Sequence, residues 1–189
     1  MVKLLPGKSI RLVIPLLLGL AALPLSSCGL LVMVRSPHQV PFNEAEFAGY
    51  GGPGSGTVTG QLTAYYDGEA HRGDGTPITL MPVTPYTREI VDRELGDGVY
   101  LSRPDARFKK YIRVTTSDHQ GGFVFTRVPP GEYFVLGEAS WNARGNSDLL
   151  EFQWACERIT VRNGQTTSVL VSHNPQHGNS PVQGLFTVD

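Results

Sequence analysis

Residues able to do chemistry are few in this chain, and their spacing fits no reaction. His173 and His177 stand four apart, an interval at which two imidazoles can share a zinc ion. They lie in a tail of Pro, Asn and Gly, with no helix to bring them to one side, so no metal is expected. Gly54-Ser55-Gly56 is too short for the Gly-x-Ser-x-Gly turn that exposes a nucleophilic serine. His71-Arg72-Gly73-Asp74 has no second histidine four residues on. Cys156 follows Phe152 and Trp154 at strand spacing, with only Arg158 as a nearby cation. A buried, inert thiol is expected there rather than a nucleophile. The sequence therefore predicts no catalytic residue, no cofactor and no enzyme.

Binding chemistry has better candidates. Trp141 opens a polar loop over residues 141–148, and Tyr65, Tyr66, Tyr86 and Tyr100 are the rings that would accompany it on a surface. Such rings stack on sugars or anchor protein partners. The opposing reading makes Tyr66 and Trp154 core residues and Tyr86 the packing side of an inserted helix, and it is favoured because sandwich cores take up aromatics readily. Tyr86, Arg88, Arg93 and Trp141 are the candidate interaction residues.

The elements that must position these residues follow a membrane-directed start. Lys3, Lys8 and Arg11 precede an apolar stretch at 12–25, with the small residues Ser26 and Ser27 after it. Leu25-Ser26-Ser27-Cys28 resembles a bacterial lipobox, which implies cleavage between Ser27 and Cys28 and lipidation of Cys28. The alternative is an uncleaved anchor over residues 12–34, long enough to span a bilayer, but Pro24 and the two serines interrupt it. Removal of residues 1–27 leaves thirteen basic against seventeen acidic residues, a formal charge of -4. That balance excludes nucleic acid as a partner, which needs a basic face. A lipidated Cys28 also leaves Cys156 without a partner for a disulfide. Gly29 after the cysteine points to the outer membrane, facing the periplasm.

At 189 residues, with Gly 22 and Pro 14, the chain reads as one turn-rich β domain with extensions. Residues 28–55 are expected as a tether, its Pro-rich part from Ser36 an extended linker onto which Phe42, Phe47 and Tyr50 can dock. Residues 57–66 alternate as a strand, with Val58, Gly60, Leu62 and Ala64 on one side. A turn cluster fills 67–77, and 78–83, apolar on both faces, reads as a central strand. Thr84 is an N-cap and Pro85 the first residue of a short amphipathic helix that Gly96 should end in the left-handed conformation. A third strand is expected at 108–114. Asp118-His119-Gln120-Gly121 is a type I turn, and Pro130-Gly131 a type II turn with positive φ at the glycine. In 150–161 the parity of Leu150, Phe152, Trp154 and Cys156 is broken by Ile159 and Val161, which predicts a bulge near Glu157-Arg158. Asn163-Gly164 reads as a hairpin turn into a last strand at 166–172; 173–189 is a tail.

About seven short strands with punctual turns predict an all-β, antiparallel Greek-key sandwich carrying one short inserted helix. Gly56-x-Val58-x-Gly60-x-Leu62, Thr116-x-Asp118-x-x-Gly121-x-Phe123-x-Phe125, Val128-Pro129-Pro130-Gly131-x-Tyr133 and Ile159-x-Val161-x-x-Gly164-Gln165-Thr166 resemble the carboxypeptidase regulatory-like domain. The resemblance covers residues 56–172 and implies a transthyretin-like (prealbumin-like) sandwich used as a non-catalytic module. Hydroxyisourate hydrolases share that sandwich, but their C-terminal Tyr-Arg-Gly-Ser signature is absent. The insertion at 84–107 is long for the family.

Two functions are therefore expected. One is a lipid-anchored structural or interaction module of the bacterial cell envelope, with an envelope protein as partner and the insertion as its recognition element. The other is an accessory protein that binds a glycan or small ligand through surface aromatics. On the first view the insertion is dispensable for folding.

Overall fold

A computed structural model of the chain describes residues 35–66, 68–142 and 150–172. Ser27, Cys28, His173 and His177 lie outside the described residues. Eight strands form two sheets, an all-β sandwich as expected. In the first sheet β1 (Gly56–Tyr66) pairs in parallel with β8 (Thr166–Ser172) along one edge. Its other edge is shared by two antiparallel partners, β5 (Gly122–Val128) on the first half and β2 (Glu69–Arg72) on the second. The second sheet has the order β4-β3-β6-β7, with β3 (Pro77–Pro82) between β4 (Arg113–Thr116) and β6 (Gly131–Asn142), and β7 (Leu150–Val161) beyond. β2 is the strand that the turn cluster at 67–77 conceals.

Alternation explains the first core. Val58, Leu62 and Ala64 of β1 meet Ile78, Leu80, Val135, Ala155, Ile159 and Val161 between the sheets. The Asp118 turn forms as read: Gly121 N–H donates to Asp118 O at 2.9 Å, and Gly121 adopts φ 78°. The Asp118 carboxylate accepts from the N–H groups of Gly122 and Gln120, both at 2.8 Å, which hold it below the usual carboxylate range.

A second core lies on the outer side of the second sheet. Met81, Phe134 and Leu136, the residues alternating with the inward set, pack against Phe47, Tyr86, Ile90, Leu101 and Phe108. The helix α1 (Pro85–Ile90) supplies Tyr86 and Ile90 and is capped reciprocally by Thr84 and Thr87. It continues into a wider π turn, Val91–Gly96, and the positive φ falls at Gly98 (67°), not at Gly96.

Four further expectations are corrected here. Residues 36–55 are no free linker: a 3-10 turn at Glu44–Phe47 buries Phe47 completely, and Ser36 bridges to Leu101. Prolines kept this stretch extended, but its aromatics give it area to bury. Phe108 is not in a strand, because Asp105 caps a 3-10 turn (Ala106–Lys110), accepting from Arg107 N–H at 2.9 Å, and swings Phe108 into the second core. β7 pairs with β6 in unbroken register from Gly131↔Val161 to Asn142↔Leu150, without a bulge. The parity conflict has another source: Ala155, Ile159 and Val161 enter the first core while Cys156 faces the second. Asn163-Gly164 does turn, with Gly164 at φ 66°, but it leads from one sheet to the other and closes no hairpin.

The N-terminal segment is held by a buried carboxylate. Glu89 accepts from Gln39 N–H at 2.6 Å, Val40 N–H at 3.1 Å and the Arg93 guanidinium at 3.3 Å, with His38 Nδ1 at 3.3 Å. Burial alone would raise its pKa, yet these partners outweigh it and the value lies below the ordinary one. A depressed carboxylate stabilises the fold fully above its unfolded value, and that stability is lost as pH falls through the folded value. Glu89→Gln is therefore expected to cost about 1–3 kcal/mol at pH 6. Thermal melts should show the gap between variant and wild type narrowing toward pH 3; a gap independent of pH would contradict the assignment.

Candidate functional site

At one end of the sandwich the inward-facing positions change from aliphatic to aromatic and polar. On β1 the parity of Leu62 and Ala64 continues to Tyr66, which is half exposed. His71 of β2 pairs with Ala64 and so points the same way. From the second sheet, Trp141 follows Val135 and Ala139 on β6, packing its base on the first core. β7 places Glu151 opposite Trp141 and Gln153 opposite Ala139.

The rings form a graded stack. The His71 and Trp141 centroids lie 4.2 Å apart at 16°, and Tyr66 lies 5.5 Å from Trp141 at 37°. Trp141 Nε1–H donates to Glu151 Oε2 at 3.0 Å, fixing the indole plane. Gln153 Oε1 is buried and, among the described residues, accepts no hydrogen bond. Arg72 beside His71 reaches away, donating to Gln120 O at 3.3 Å. At this end the His71 imidazole covers one face of Trp141, Tyr66 leaves its ring half exposed, and Glu151 holds the indole N–H.

Of the candidate interaction residues Tyr86, Arg88, Arg93 and Trp141, only Trp141 belongs to this end, and it lies within β6 rather than opening a loop; Tyr66, one of the rings read as accompanying it, lies beside it. Tyr86 is buried in the second core, 1% exposed, and its hydroxyl accepts from Asp105 N–H at 3.0 Å. Arg93 is spent on Glu89 and on Pro37 O, at 3.3 and 3.2 Å. Arg88 is exposed on α1, on the far side of the second sheet from Trp141. Burial, with Glu157 and Asp92 nearby, pushes the Cys156 thiol up to about 12. It is a packing residue at neutral pH.

Sequence reasoning placed Tyr66 both in a surface patch and, as the favoured reading, in the core, and lost His71 in a turn cluster. The available signal was Tyr66 itself, in phase with Leu62 and Ala64 at the last position of the strand. A large ring in phase at a strand end marks where the core opens.

Fold and site together define an all-β sandwich with an aromatic-lined end. No family model matches the chain, and no curated protein matches it. Among solved structures, it is similar to a candidate carbohydrate-binding protein of Pseudomonas aeruginosa, at 26% identity and TM-score 0.62, over 71% of this chain and 99% of that one. Pilin subunits also align: a minor pilin of Streptococcus agalactiae at 14% identity and TM-score 0.35, over 64% of this chain and 44% of that one. A major pilin of Bacillus cereus aligns at 13% identity and TM-score 0.37, over 65% and 30%.

Proposed function

We propose that this protein is a non-catalytic carbohydrate-binding module of the bacterial cell envelope, anchored through lipidated Cys28, whose glycan rests on Tyr66 and Trp141. The observation that carries this reading is the half-exposed Tyr66 beside an indole already fixed by Glu151. Pre-ordered rings bind sugar faces without a further cost of immobilising side chains. The similarity to a candidate carbohydrate-binding protein supports the same reading. The motif blocks at 56–62 and 116–133 support its finer placement among carboxypeptidase regulatory-like domains. An envelope protein recruited by the insertion has less support, because Tyr86 and Arg93 are occupied inside the fold.

Retention on insoluble polysaccharides, presented as a panel, tests the binding half. Tyr66→Ala and Trp141→Ala should each weaken retention roughly tenfold, about 1.4 kcal/mol, with circular dichroism unchanged. Retention equal to wild type in both variants would refute the site. Intact mass tests the anchor half: the mature chain should begin at Cys28 and carry acyl groups, and Cys28→Ser should remain unprocessed. A membrane-bound wild type that keeps residues 1–27 would refute lipidation.

A further inference from the structure

The two outer faces of the sandwich are finished differently. On the second sheet the outer side is covered by Phe47, Tyr86, Ile90 and Phe108 of the second core. On the first sheet the outer side keeps Val124, Leu170 and Tyr65 half exposed. Thr59 and Gln61 of β1 alternate with Val58 and Leu62 and so point to this side. Thr59 pairs with Val124 of β5 and with Ser168 of β8, and Gln61 pairs with Leu170. None of these side chains is charged. Charged residues come at the ends of the face, Arg72 opposite Thr63 and Arg127 at the bulge near Gly56. A wet sheet face normally takes polar and charged residues; an uncharged middle with a charged margin is how interfaces are composed. The polar groups of the middle are also partnered within the chain. Thr59 Oγ1 and Ser168 Oγ lie 3.3 Å apart, and Gln61 Nε2 donates to Gln120 O at 2.8 Å. Covering them leaves little polar demand unmet.

We propose that this face docks on the same face of a second copy of the chain, giving a twofold dimer packed sheet on sheet. In such a pair each patch meets itself, so every charge it carries meets its like. A face with an uncharged middle is compatible with its own copy. Elsewhere residues 28–189, with thirteen basic and seventeen acidic residues, set like charges against each other. The size fits a modest interface. Strand spacing of about 4.8 Å and a rise of about 3.3 Å per residue give the face about 400–500 Å² per copy. A pair therefore covers about 800–1,000 Å², the low end for a specific contact. The dimer is weak and reversible.

Sedimentation velocity of the full-length chain tests this, in density-matched detergent with micelles in excess, over about a hundredfold range of concentration. Wild type should pass reversibly from monomer to dimer and no further. High salt should not dissolve the dimer, because ion pairs do not hold it. Thr59→Lys and Thr59→Glu, in the middle of the face, should each weaken association roughly tenfold or more, with circular dichroism unchanged. An equimolar mixture of the two should dimerise again, because opposite charges then meet across the contact. A substitution that acted only on the fold would not be rescued in this way. Leu170→Ser should weaken association without adding charge. A wild type that stays monomeric throughout would overturn the dimer and leave the face to another occupant, residues 173–189 or a different envelope protein. Variants that associate as strongly as wild type, or a mixture that fails to dimerise, would place any contact elsewhere and overturn it equally.

Discussion

Replacing residues 84–107 with a short Gly-Ser link is expected to yield a chain that does not fold to a stable monomer. The replacement removes Tyr86, Ile90 and Leu101, each at most 2% exposed, and uncovers Met81, Phe134, Leu136 and Phe47. Burying a large apolar side chain contributes about 1.5–3 kcal/mol, so seven affected residues carry about 10–21 kcal/mol, as much as the whole of the roughly 5–15 kcal/mol by which domains are stable. Glu89 goes as well, and with it the bonds to Gln39 and Val40 that hold the N-terminal segment. Size-exclusion chromatography and thermal melting of the deletion should show aggregation or a non-cooperative transition. A cooperative melt within a few degrees of wild type would mean that the insertion is dispensable for folding, as its sequence alone suggested. The expectation reverses because the amphipathic helix spends its apolar face on a second core that the sequence does not announce.

Gly131→Val is expected to cost about 2–6 kcal/mol. Gly131 adopts φ 149°, where a β-branched residue is strained. A Cβ there would also lie 2.5 Å from Tyr50 Cε1 and 2.9 Å from its hydroxyl. Tyr50 stands edge-on to Tyr133 at 5.3 Å, and Tyr133 donates its hydroxyl to Pro129 O at 2.9 Å. The substitution therefore strains the turn and evicts the ring that ties the N-terminal segment to it. Chemical denaturation should show a lower midpoint. The cost should be sub-additive with Tyr50→Ala, because both remove the same contact. An unchanged midpoint would contradict both the backbone and the packing assignment.

Much of the fold was legible where local chemistry decides it. Alternation in β1, the Asp118 turn, the two-sided apolar run of β3 and the Thr84-Pro85 helix start are short-range signals, and all four appear. What escaped depends on distant partners. The phase conflict in β7 looks like a bulge only if one face is assumed to be wet; the second core takes Cys156 on the other face, while Leu150 and Arg158 in the same phase stay exposed. Phe108 has strand propensity, but Asp105 competes for the local backbone. The site was half legible. Trp141 stood out by type and by its polar neighbours, whereas Tyr66 and His71 become its partners only through the β1–β2 pairing.

The carbohydrate reading is tested most directly by the indole N–H resonances of the two tryptophans, recorded by NMR while oligosaccharides are added. Trp141 lies at the proposed binding end, and Trp154 sits on the same strand as Gln153 but in the opposite phase, facing away from it. The account predicts that a bound glycan shifts the Trp141 signal, with a saturable dependence lost in Tyr66→Ala, and leaves the Trp154 signal in place. A glycan that binds while moving only Trp154, or neither indole, would place the site elsewhere on the molecule and contradict the account.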